Sequence, residues 1–172
     1  MTRTLPARPA AAVAVEVLVC GSPDRGDDGA PMAVAQRLNG SLPPDVTLRV
    51  VGMLDVDDLL SIPRGAGVVI VDAATGIEPG AVVELVLNGL IGQHGGVHPR
   101  SSHALALPEV VGLAEMMRGR PLRGRIVAIG GSHFGLGEPF SPPVSAALGR
   151  LADSIREAVG HVRPPDNPGG GG

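Results

Sequence analysis

The chain contains no lysine, no tryptophan and no tyrosine, and among its 172 residues there are only two phenylalanines and one cysteine. Each scarcity removes a kind of chemistry. Without lysine there is no P-loop lysine, no Schiff-base lysine and no Ser–Lys catalytic pair. With Cys20 alone, neither an internal disulfide nor a multi-cysteine metal site can form within one chain. The shortage of aromatics leaves the core to Val, Leu, Ile, Ala and Met. A formal net charge of −3 gives no general attraction to nucleic acid or to an anionic membrane surface. The apolar stretch over residues 10–20 is broken by Glu16 and is followed by no cleavage site. It therefore reads as neither a signal peptide nor a membrane span, and a cytoplasmic protein is expected.

A chain of this length suits one domain. Residues 1–12 read as a loose leader, residues 13–162 as a single α/β domain, and residues 163–172 as a disordered tail. Val15–Cys20 is a short β-branched run, the pattern of a buried strand. A turn of Gly, Asp and Pro follows. Apolar residues then recur at helical spacing, Met32, Ala35 and Leu38, with Pro31 in the first turn. VTLRVV (Val46–Val51) predicts a second strand, and DVDDLLSI a short helix with acidic residues in its first turn. GVVIVD (Gly67–Asp72) is an unbroken apolar run ending in a carboxylate, as in a strand buried on both faces of a parallel sheet. AVVELVL (Ala81–Leu87) predicts an edge strand.

Residues 88–99 are rich in Gly and His without a period and predict a mobile loop beside the cleft. Ser101-Ser102-His103 is expected to open a helix with Pro108 in its first regular turn, and RIVAIGG (Arg125–Gly131) predicts a fifth strand. Ser141-Pro142-Pro143 predicts a helix start, Ser as N-cap and Pro just inside, running to about Val159. The alternation predicts a three-layer α/β/α sandwich with a mostly parallel sheet of about five strands, strand one central.

Asp28, Asp72 and His103 stand out because they follow strand ends or open helices. Two carboxylates and an imidazole make a mixed oxygen–nitrogen ligand set for a transition metal. Each also has a plainer role available. Asp28 can be a helix N-cap, Asp72 an Asx-turn residue before Gly76, and His103 an exposed residue of a first helical turn. Cys20, at the end of a buried strand, reads as a small hydrophobe rather than a nucleophile. No G-x-S-x-G elbow exists, and GSPDRGDDG is neither G-x-G-x-x-G nor a Walker loop. His94, His98 and Arg100 read as solvated. His133, just after the fifth strand, can approach the same cleft.

Four stretches taken in order resemble the hydrogenase maturation proteases, endopeptidases that trim the C-terminus of the large subunit of nickel–iron hydrogenases. LVCGSPDRGDDGAPMAVAQRL is similar to that family's opening strand, its G-N-P-x-x-x-D-D/E-G loop and the following helix. VVIVDAATGIEPGAVVEL resembles its I-V-D-A…P-G-x-V segment, and SSHALALPEVVGLAEMM its S-x-H-x-L-x-L helix start. AIGGSHFGLGEPFSPPVSAAL resembles its late strand, Gly-rich loop and S-P-x-V helix. Ser22 stands where the family usually has Asn, and GGSHFG where an acidic residue commonly follows the strand. VVGMLDVDD replaces the D-G-G-T segment that some members carry after the second strand.

The resemblance implies that Asp28, Asp72 and His103 bind the nickel of the substrate, with Asp28 the candidate catalytic carboxylate. The metal then arrives with a hydrogenase large-subunit precursor, and no tightly bound organic cofactor, nucleic acid or membrane partner is expected of a monomeric enzyme. Two other readings compete. One is a paralogue that binds a metallated partner without cleaving it. The other is a small-ligand-binding α/β domain using the first helix N-terminus, where Asp27 and Asp28 would repel an anion.

Overall fold

The computed structural model describes residues 13–89, 100–101 and 107–165. The leader 1–12, most of the loop read over 88–99, His103 and the end of the tail lie outside the described residues. Strands run over Val15–Cys20 (β1), Val46–Gly52 (β2), Gly67–Thr75 (β3), Val82–Val86 (β4), Arg100–Ser101 (β5) and Gly124–Gly130 (β6). Helices run over Ala30–Leu38 (α1), Val56–Leu60 (α2), Leu107–Arg118 (α3) and Pro142–Val162 (α4). Short 3-10 turns precede α1, at Gly26–Gly29, and follow β4, at Leu87–Gly89.

The main path of the sheet has the order β2-β1-β3-β6-β4, with β5 added beside β3. The β1–β2, β1–β3 and β3–β6 ladders are parallel, whereas β4–β6 and β3–β5 are antiparallel. β1 is interior, but the middle place belongs to β3. The edge assignment of β4 holds.

The alternation of side chains along the strands divides the interior in two. Val15, Val17 and Val19 of β1, Val69, Val71 and Ala73 of β3, and Val127 and Ile129 of β6 pack against α1 and α4. Leu18, Cys20, Val68, Ile70, Ala74, Ile126 and Ala128 point the other way, toward α2 and α3. Helices on both faces make the expected three layers. α4 contributes Val144, Ala147, Leu148, Leu151, Ile155, Ala158 and Val159 at the i, i+3, i+4 spacing that keeps one helix stripe against a sheet. Ile155→Val, which removes one methylene from this stripe, is expected to cost about 1 kcal/mol. A thermal melt should read that as a fall in Tm of about 2–4 °C.

Several boundaries differ from the sequence reading. β3 continues to Thr75 instead of stopping at Asp72, because β6 pairs with it through Ala74 and β5 pairs with Ala74 and Thr75. Ser101 lies in that β5 strand, and α3 is described only from Leu107, so the Ser101 helix start is not what the chain adopts there. Asn88 falls in a 3-10 turn. α4 runs to Val162, and Arg163 at its C-cap pairs with Asp45. No described helix is long and apolar enough to cross a membrane.

α2 is tied to the sheet by charge. Asp55 and Asp58 form a capping box at its N-terminus. Arg49 of β2 donates from Nε to Glu16 Oε1 of β1 at 2.8 Å, and from Nη2 to the Asp58 carbonyl and to Ser61 Oγ, both at 3.0 Å. Glu16, buried on an interior strand, thus has a cationic partner.

Candidate active site

The site region lies beyond the carboxyl end of β1, where ligand sites form in open α/β sheets. The loop from Gly21 to Gly29 turns back on itself. Asp28 Oδ2 accepts the Ser22 backbone N–H at 2.9 Å, closing the loop across six residues. Gly21 has φ +109°, and a Cβ there would stand 2.1 Å from the Asp28 carbonyl oxygen, so any side chain would push Asp28 out of place. Asp28 is 1% exposed. It is not the N-cap of α1: that position is Gly29, which has no side chain to cap with. The plainer role available to Asp28 from sequence is thus not the one it has.

Asp27, weighed from sequence only as a charge that would repel an anion, is the anchor of the region. Its carboxylate is fully buried. Oδ2 accepts the Ser132 N–H at 2.8 Å, the His133 N–H at 2.9 Å and the Ser141 hydroxyl at 2.8 Å, while Oδ1 accepts the Ser141 N–H at 2.7 Å. Its own N–H donates to the His133 carbonyl at 2.7 Å. Burial alone would push this carboxyl up. The donors from His133, Ser132 and Ser141 outweigh it and hold the group below the usual carboxylate range. Ser141 is the N-cap residue of α4 by position, but its hydroxyl serves Asp27 and makes no capping bond to the helix. The loop after β1 and the loop after β6 are therefore one unit. Gly26 adds to it, because at φ +53° a Cβ would lie 2.5 Å from the His133 carbonyl oxygen.

Asp72 is 5% exposed, and its Oδ1 accepts the N–H of Ala73 at 2.9 Å. The register Val19↔Val71 puts it level with Cys20, and strand alternation puts it on the same face of the sheet as Cys20. Burial comes first in raising the Cys20 thiol far above its ordinary value, followed by the charges of Asp72, Asp58 and Asp28. The thiol stays protonated and is no thiolate nucleophile, as expected for a small buried side chain. Asp72 and Asp28 are also both among the charges that act on this one sulfur.

His103, the third residue of the expected ligand set, lies outside the described residues. Among the described residues no cluster of three or more His, Cys, Asp or Glu side chains is arranged to hold a metal ion. His133 is exposed and meets the site through its backbone, which bonds Asp27. Asp27 was legible only as half of an Asp-Asp pair before a glycine. Its partners lie more than a hundred residues away, and no local pattern marks them.

No family model matches the chain, and no curated protein matches it. Solved structures do. A [NiFe] hydrogenase maturation protease HycI from Thermococcus kodakarensis KOD1 is 25% identical, with a TM-score of 0.64 over 88% of this chain and 95% of that one. The hydrogenase maturating endopeptidase HybD from E. coli is 18% identical, with a TM-score of 0.67 over 84% of this chain and 91% of that one. HybD from Thermococcus kodakarensis is 21% identical, with a TM-score of 0.65 over 83% and 97%. These likenesses agree with the fold expected from the four motifs: in fold the chain is similar to solved hydrogenase maturation proteases.

Proposed function

We propose that this protein is an endopeptidase that removes the C-terminal extension of a nickel-loaded [NiFe] hydrogenase large-subunit precursor, recognising the nickel already bound there. The observation that carries the reading is the placement of two buried carboxylates on this fold, Asp28 in the loop after β1 and Asp72 in the last half of the adjacent strand β3. Each carboxylate already accepts a backbone N–H, Asp28 from Ser22 and Asp72 from Ala73. In this reading, the substrate's metal is the cation that both meet when the precursor docks. His103 completes the oxygen–nitrogen donor set, which suits a first-row divalent ion and leaves its other positions to the precursor's own ligands.

The Cys20 thiol is buried and held protonated, so it is no activated nucleophile in this reading. Water is then the attacking group. It is activated either by the substrate's metal acting as a Lewis acid or by proton transfer to Asp28. Both routes use the Asp28 carboxylate, one as ligand and one as base. The enzyme holds no metal of its own in this scheme, so a precursor lacking nickel presents nothing to bind.

The test is cleavage of purified precursor, followed by gel shift, with and without nickel inserted. Processing of the loaded form alone is expected. Equal cleavage of both forms rules out metal recognition, whereas tight binding of the loaded form without cleavage identifies a non-cleaving paralogue. The small-ligand reading has less support, because the chain leading into α1 carries buried Asp27 and Asp28 where an anion would sit.

A further inference from the structure

A second feature lies at the opposite edge of the sheet, beside the amino ends of β3 and β6. A cavity of about 220 Å³ is lined by Leu60, Ile62, Arg64, Met117, Arg118 and Arg120. Half of these residues are arginines, and among the described residues none of the three is in an ion pair; the arginines that are so paired are Arg49, Arg125, Arg156 and Arg163. Arg118 is held in position. Its Nη1 donates to the carbonyls of Leu59 at 2.8 Å, Leu60 at 3.1 Å and Ile62 at 3.1 Å, the carboxyl end of α2. Its Nε is buried and has no acceptor among the described residues.

The Arg118 side chain is half-buried, and with Arg64 and Arg120 it gathers three positive charges on the wall of one cavity. Burial first, and then the charges of Arg120 and Arg64, lower the Arg118 pKa from its ordinary value. Guanidinium groups present planar sets of N–H donors that match the oxygens of phosphoryl groups. We propose that this cavity binds a small multivalent oxyanion of the phosphate class. The walls from Leu60, Ile62 and Met117 leave room for a small organic remainder beside the phosphoryl group. The site is separate from Asp28 and Asp72, and its existence does not rest on the peptidase reading.

Isothermal titration of the full chain with inorganic phosphate, pyrophosphate and glycerol 3-phosphate at matched ionic strength tests the proposal. Saturable binding of at least one probe is expected. In Arg64→Gln/Arg120→Gln it should weaken about tenfold or more, since two charge-assisted partners are lost. That variant leaves Arg118 and its three carbonyls in place, and its melting curve should match the wild type. Tighter binding of glycerol 3-phosphate than of inorganic phosphate assigns an organic monoester as occupant; the reverse assigns the free ion, and either order upholds the site. No saturable binding of any probe, or unchanged affinity in the double variant, overturns it.

Discussion

Asp28→Asn is expected to lower processing of nickel-loaded precursor by at least about a hundredfold while leaving the fold in place. Asn keeps the shape of the side chain and retains an oxygen that can accept the Ser22 N–H, so the loop from Gly21 to Gly29 should still close. What disappears is the charge. A neutral amide is a poor ligand for an electron-poor metal and cannot take a proton from water at neutral pH. Far-UV circular dichroism and a melting curve within a few degrees of the wild type establish that the loss is chemical. Asp24→Asn is the control: Asp24 is exposed, and its contribution to the loop is a backbone carbonyl that accepts the Gly137 N–H at 2.8 Å, which the substitution keeps. His103→Ala should behave as Asp28→Asn does. Full activity in Asp28→Asn would leave the proposed mechanism without its central residue.

The second large effect is on stability. Asp27→Ala leaves the Ser132, His133 and Ser141 N–H groups and the Ser141 hydroxyl without their acceptor in a buried place. At about 1–3 kcal/mol for each buried donor left unsatisfied, and allowing water to reach some of them, a loss of about 3–5 kcal/mol is expected in urea unfolding. Asp27→Asn should lose less but still a substantial part, because its NH2 group would face donors. The pH dependence carries a further signature. Since the folded carboxyl lies below the usual range, its contribution is fully present above the unfolded value of about 3.9 and fades as pH falls through the folded value. Wild-type stability should therefore drop below about pH 4, and Asp27→Ala should show a shallower drop over that window. An identical acid limb in both proteins would mean that Asp27 does not hold the two loops together.

Much of this architecture could be read from short-range pattern. β1 and the turn after it, the strand runs of β2, β3, β4 and β6, and the Pro-led start of α4 all carry their signal within a few residues: β-branched runs, glycines, and Ser-Pro-Pro. The errors came where distant partners decide. β3 outlasts its apolar run because β5 and β6 offer backbone hydrogen bonds beyond Asp72. Ser141 looks like a capping serine, yet its hydroxyl goes to a buried carboxylate because that acceptor is charged and close. In the site, Asp28 was recognisable from its place in the loop after β1 and Asp72 from its place at the end of an apolar run. Asp27 was not, because its role is defined by donors in a loop that only the folded sheet brings beside it.

Those donors have a consequence for how the molecule comes into being. The bonds from Ser132, His133 and Ser141 to Asp27 span 105, 106 and 114 residues of chain. Contacts of such long range form late in folding, because a large loop must close before they give any return. On a ribosome, the half of the chain bearing Asp28 and Asp72 emerges with its first loop still untethered, and it stays so until β6 and the start of α4 follow. A nascent or truncated product ending before Ser132 thus lacks every one of these donors to the Asp27 carboxylate.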